Sequence, residues 1–289
     1  MLDPSPQWPL SSSDFKRLTA ARQPAIFRAA AADWPCTRLW ESDYLRDKIG
    51  RRTVTVTRSK QALYSVDPGK GHYAPDDMSP MAFGDFLDHI FTQGDEGPRW
   101  YLHKHNIEQQ LPELLADIRI PDHIAGSPML LTSLWMGARG SITPIHHDFS
   151  DNFFVQARGR KRVVMYAPEP ENAFYRLPFR TLNGRSSWHI SSVGSLESVD
   201  RARFPHFERA TRFDVTVSQG DILYIPAFYW HEVHSLDSPS MSLSYWWSQY
   251  TVQEVEEMIR VITRFVELHA EVVLEEGRPQ EIRVFDRQA

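Results

Sequence analysis

The sequence predicts a mainly β protein, a sandwich or barrel with α/β elements before it and a helical extension after it. Three observations carry this. From Ser127 onward, short runs rich in Val, Ile, Phe, Tyr and Trp are separated by turn pairs such as Arg158-Gly159 and Gln219-Gly220, the spacing of many short strands. Before Ser127 the apolar residues switch between helical and strand periods, and after Tyr250 they recur at three and four.

In chain order, residues 1–13 are rich in Pro and Ser and read as a loose leader. Ser13 or Asp14 can cap a short helix that runs to Leu18, and residues 24–27 (PAIF) begin a short strand. Residues 40–49 read as a helix, with Trp40, Tyr44, Leu45 and Ile49 on one face and Gly50 as a stop. The alternating, β-branched run 53–57 (TVTVT) is a strand. A helix is expected over 79–91 from Phe83, Phe86, Leu87 and Ile90, a short strand over 99–102 (RWYL), and a short helix over 111–118. Together residues 14–128 form the α/β elements that pack on the barrel.

The barrel proper, residues 129–248, is expected to contain strands at 129–136, 152–157, 161–166, 212–217, 221–225, 231–235 and 241–247. Residues 168–207 interrupt it with aromatics, arginines and little periodicity, and a long insert in a compact domain reads as a functional loop over the barrel mouth. In residues 249–289, Thr251 and Glu254 make a capping box. Val252, Val255, Met258, Ile259, Ile262, Phe265 and Val266 then form an apolar stripe, with Gly277 and Pro279 ending the helix.

At 289 residues, with 42% hydrophobic and 24% charged side chains, the chain can bury a sizeable core. A net charge of −5 gives no broad basic field for a phosphate backbone, so nucleic acid is not an expected partner. The single cysteine, Cys36, excludes an internal disulfide and suits a reducing compartment. No signal-like segment or span of ~20 apolar residues stands out, so the expected location is cytoplasmic.

The chemistry centres on TPIHHDFSDNFF, residues 143–154. A histidine and a carboxylate two apart on a strand share a face and can reach one cation. With 12 His and 37 acids in 289 residues, chance placement gives roughly 1.5 such triplets, so spacing alone is weak. Of the three present, His269/Glu271 falls in the expected terminal helix, where residues two apart do not face each other. His206/Glu208 lies in the irregular insert, which leaves His146 and Asp148 at the entrance to the β half. His147 points to the opposite face. The third ligand is expected from GDILYIPAFYWHEVH, where His231 and His234 alternate in face, and His231 is chosen. Two imidazoles and one carboxylate leave three octahedral positions open, the arrangement of non-haem Fe(II) oxygenases.

These motifs, with RGRKRVVMYAP after them and SLSYWW at the end, resemble the JmjC/cupin-like group of Fe(II)- and 2-oxoglutarate-dependent oxygenases. The likeness runs from about Pro24 to Trp247, nearest to the asparaginyl hydroxylase group that inhibits hypoxia-inducible factor. The resemblance implies a double-stranded β-helix (jelly-roll or cupin) barrel. It matches His146, Asp148 and His231 to the iron ligands, and Lys161, Thr143 and Tyr101 to groups that hold the distal carboxylate of 2-oxoglutarate. Asn152 matches an amide near metal and cosubstrate, Ser244 stands where the relative has a second asparagine, and Trp246 matches an aromatic wall. Without the resemblance, Lys161 would read as a solvated charge, and Tyr101 and Trp246 as core.

The implied reaction consumes O2 and 2-oxoglutarate, gives succinate and CO2, and hydroxylates a C–H bond of a protein or peptide. Arg176, Arg180 and Arg185 could line the peptide groove or be solvated loop charges. A small-molecule or carrier-bound amino-acid hydroxylase is the alternative enzyme, and a catalytically silent cupin-like binding protein the alternative of another class. Members of the group dimerise through C-terminal helices, so a homodimer is expected.

Overall fold

The computed structural model describes residues 8–59, 66–67, 72–73, 77–92, 98–127, 130–168, 171–175, 181–182, 185–186, 191, 193–248, 270–275 and 278–284. Twelve strands make two antiparallel sheets. They are β1 (Ala25–Phe27), β2 (Thr53–Ser59), β3 (Asp77–Ala82), β4 (Arg99–Asn106), β5 (Leu131–Gly137) and β6 (Ile142–His147), followed by β7 (Asp151–Arg158), β8 (Lys161–Tyr166), β9 (Arg212–Val217), β10 (Ile222–Ile225), β11 (Trp230–Ser235) and β12 (Ser240–Trp247). The larger sheet has the order β1-β10-β7-β12-β5-β4-β2-β3, and the smaller β9-β8-β11-β6.

Alternation along each strand decides which side chains enter the barrel. In β7, Phe153, Val155 and Ala157 face outward into one core, while Phe154 joins Val163, Met165, Val215, Val217, Leu223 and Ile225 between the sheets. The outer face of the larger sheet is covered by the N-terminal elements, whose Trp34, Trp40, Leu45, Phe83 and Phe86 share a cluster with Val155, Leu243, Tyr245 and Trp247. Buried Asp117 ties that layer together: it accepts from Trp40 Nε1 (3.0 Å), Tyr44 Oη (2.8 Å) and Lys48 Nζ (2.7 Å). Cys36 is buried in the same layer, and burial pushes its thiol up to about 11, away from reactivity.

Several expectations need correction. The helix expected over 79–91 begins only at Phe83 (Phe83–Thr92), the first residue of its apolar face, because residues 77–82 pair with β2 as β3. The strand expected over 99–102 continues to Asn106, with a register shift between Leu102 and His105. Strand β6 carries His146 and His147, as the face argument requires, but ends before Asp148. The terminal helix expected to end at Gly277 conflicts with Ala270–Glu275 and Arg278–Val284, which pair as antiparallel strands, as the β-branched Val272 and Val273 favour. Its apolar stripe over 252–266 lies outside the described residues.

The described parts of the 168–207 insert do not roof the barrel mouth. Phe174, Val193, Phe204 and Phe207 pack with Val164, Tyr166, Ile145 and Trp230 on the outer face of the smaller sheet, and Phe174 stacks on Trp230 at 4.7 Å. Ser191 and Gly194 pair with Ile145 on β6 (2.9 and 2.8 Å), which covers an exposed sheet edge. Buried Glu232 accepts from the Leu196 amide (3.1 Å), holding the insert in place.

Candidate metal centre

His146 and His231 come from adjacent strands of the smaller sheet and sit opposite each other in the β6–β11 register, with ring centroids 4.2 Å apart. Asp148 is one residue beyond β6, so strand alternation alone does not place it. Its carbonyl instead accepts from the Phe228 amide (2.8 Å) in the turn that precedes β11, where Phe228 adopts φ 66°. A bulky residue in the left-handed region is strained, and here the strain sits beside the candidate ligands. Asp151 fixes the other side of that turn, accepting from Tyr224 Oη and the Ala227 amide, each at 3.0 Å.

The ligand atoms of His146, Asp148 and His231 lie within 4.8 Å of one another, and His231 Nε2 is 3.8 Å from Asp148 Oδ2. Facial ligands bound at about 2.0–2.2 Å to a divalent ion would stand about 3 Å apart, so these separations would shorten by about 1–2 Å. Both imidazoles are prepared for this. His146 Nδ1–H donates to the Pro144 carbonyl (2.8 Å) and His231 Nδ1–H to the Tyr229 carbonyl (2.9 Å), which turns each Nε2 lone pair toward the centre. Trp246 Nε1–H donates to Asp148 Oδ2 (2.9 Å).

Burial, reinforced by His231 and partly offset by Asp148, lowers His146 to about 4, so it is neutral and metal-ready at physiological pH. Burial raises the Asp148 carboxyl, but His231, His146 and the Trp246 indole together hold it below its ordinary value. His147 points away, edge-on to Trp230 at 4.6 Å, and His234 lies by Glu232 (3.4 Å) and Glu197 (3.7 Å).

Deeper in the barrel, Lys161 is fully buried and donates to Ser242 Oγ (2.7 Å), with its ammonium 5.7 Å from the Tyr101 and Phe154 ring centroids. Among the described residues it has no carboxylate partner, and burial lowers its pKa to about 7. Tyr101 is buried, which raises its phenol, and shares a hydrogen bond with Thr143. Gly137 makes room for it: a Cβ there would lie 2.2 Å from Tyr101 Cδ2. Asn152 Nδ2 donates to Ser244 Oγ (3.4 Å), while Asn152 Oδ1 and Ser133 Oγ are buried without partners among the described residues. A cationic donor with hydroxyl and amide groups around it fits a small dicarboxylate.

The structure therefore brings together His146, Asp148 and His231, and groups Lys161 with Tyr101 and Asn152 with Ser244. Arg176 and Arg180 lie outside the described residues. Arg185 falls in the short pair of Thr181–Leu182 with Arg185–Ser186, and its side chain lies outside the description. Sequence reasoning missed Ser242, Trp135 and Lys104. Alternation in SMSLSYWW signals Ser242 as inward with Ser244 and Trp246, and the β5–β12 register sets Trp135 opposite Ser242.

Comparison with known proteins gives a family model, described as a cupin-like domain, that matches residues 11–252. Lysine-specific demethylase 8 of Danio rerio is 32% identical over 235 residues, covering 78% of this chain and 53% of that protein. Lysine-specific demethylase JMJ30 of Arabidopsis thaliana is 30% identical over 230 residues (78% and 50%). A tRNA wybutosine-synthesizing protein 5 of Gallus gallus is 26% identical over 243 residues (78% and 70%). The chain spans about half the length of the two demethylases.

Proposed function

The chain belongs to the cupin-like family with JmjC-type relatives, and from that premise we propose that it is an Fe(II)- and 2-oxoglutarate-dependent oxygenase hydroxylating a C–H bond on a protein or peptide side chain. The observation that carries the reading is the pairing of a two-histidine, one-carboxylate cluster with a fully buried lysine that has no carboxylate partner among the described residues. Iron held there would supply O2 activation coupled to decarboxylation of 2-oxoglutarate to succinate and CO2.

The chain's own residues do the rest. His146, Asp148 and His231 would hold the metal. Lys161 takes the distal carboxylate, and Thr143 and Tyr101 orient it. Asn152 and Ser244, bonded to each other, would serve the metal end, and Trp246, bonded to Asp148, would form a wall.

The demethylase names of two relatives support a second reading, oxidation of a methyl group on lysine nitrogen. We further propose a cytoplasmic homodimer paired through residues 249–289; no helix among the described residues is long and apolar enough to cross a membrane. The functional test is succinate formation with Fe(II), followed by mass spectrometry of peptides and metabolites. A +16 Da product on a peptide, absent with His146→Ala, supports the proposal; a product only on free metabolites replaces it with the small-molecule alternative.

A further inference from the structure

Lys104 lies where β4 loses register with β5, between Leu102 and His105, and its φ is 50°. That left-handed conformation is uncommon outside glycine, and bulges of this kind re-aim a side chain. The side chain is exposed, and its ammonium stands 4.9 Å from the Trp246 ring centroid. Trp246 is the same residue whose indole holds Asp148, so this cation is anchored one aromatic ring from a candidate metal ligand. Among the described residues Lys104 makes no ion pair.

Trp135 adds a second donor. Its ring packs 5.9 Å from Trp246 and 4.5 Å from His103, and its buried indole N–H has no acceptor among the described residues. A buried donor left unpaired costs free energy that a ligand's acceptor can recover. Asp148, the nearby carboxylate, is already committed to Trp246 and to the histidine pair. Around Trp246 the chain thus groups two aromatic rings and two donors, one of them charged, and we take this as the mouth of the site.

We infer that Lys104 makes this mouth selective for a side chain bearing acceptor oxygens, a carboxylate foremost, and against a cationic one. The inference rests on the oxygenase reading for where the substrate enters. A target charge about 6 Å from the ammonium, at an effective dielectric of about 40, shifts affinity about tenfold, upward for an anion and downward for a cation. A cationic lysine or arginine side chain is then the disfavoured target.

The test is anaerobic calorimetry on the full chain loaded with Fe(II) and 2-oxoglutarate, titrated with peptides Ala-Ala-X-Ala-Ala in which X is Asp, Asn or Lys. The unmodified protein is expected to bind Asp best and Lys worst. Lys104→Glu should invert that order, and Lys104→Gln, a milder change should the reversal impair folding, should bring the Asp-to-Lys ratio close to one. An unchanged ratio in both variants, or no binding of any peptide, overturns the inference. Failure of the oxygenase reading shows separately, as no heat from Fe(II) or 2-oxoglutarate before any peptide is added.

Discussion

Replacing Lys161 with Met should stabilise the protein without ligands and cripple it toward 2-oxoglutarate. Burial lowers the amine from 10.5 to about 7, and at ~1.36 kcal/mol per unit the penalty for carrying the charge is on the order of 5 kcal/mol. The folded-state value lies below the unfolded one, so between them the unfolded chain binds the extra proton and stability rises with pH. The penalty is fully present below about 7 and disappears as pH approaches 10.5. From pH 7 to pH 9.5 the native protein should therefore gain about 3 kcal/mol relative to Lys161→Met, read from urea melts of the two proteins in parallel. A saturating dicarboxylate supplies the missing partner and should flatten the difference. Truncating one member of a buried charge pair typically costs about 3–5 kcal/mol, so the variant should need at least about 100-fold more 2-oxoglutarate for half-saturation. A stability gap independent of pH, with an unaltered 2-oxoglutarate requirement, would refute the argument that this lysine waits for an anion.

Other changes test the supports around it. Trp246→Phe keeps the wall but removes the donor to Asp148 Oδ2, and should weaken Fe(II) binding about 10–100-fold in a competition titration. Gly137→Ala drives a methyl into Tyr101; it should cost about 1–3 kcal/mol of stability and raise the 2-oxoglutarate requirement together, whereas a stability loss alone would separate Tyr101 from the cosubstrate. Asp117→Ala leaves Trp40, Tyr44 and Lys48 without their shared acceptor and should lower stability by about 2–4 kcal/mol with Fe(II) affinity unchanged, since the cluster lies on the outer side of the larger sheet.

Much of the barrel was legible because its strands carry their own alternation. Residues 161–166 and 212–217 match β8 and β9 end to end, since Val163 and Met165 face the other sheet while Val164 and Tyr166 face the insert. The candidate trio could be picked out because two members lie in one short motif and the third ends a turn-rich run. What sequence could not supply was non-local. Asp148 is held by the Phe228 amide, 80 residues later in the chain, and not by strand phase. The helical period of Phe83, Phe86, Leu87 and Ile90 does not reach back to residues 79–82, which join β2 because that edge has open hydrogen bonds. The length of the insert suggests a roof, whereas its described Phe174, Phe204 and Phe207 find an apolar outer sheet face prepared by Tyr166 and Trp230. Lys104 was hidden for a further reason: a bulge redirects a side chain without any glycine or proline to announce it.

The central claim is that His146, Asp148 and His231 bind Fe(II) beside a 2-oxoglutarate clamp centred on Lys161. Anaerobic calorimetry of Fe(II), followed by 2-oxoglutarate, tests it most directly. The account predicts one Fe(II) per chain, 2-oxoglutarate binding that depends on the metal, and loss of both in His231→Ala while the fold persists. Equal Fe(II) uptake by the native protein and His231→Ala, or none by either, would contradict it.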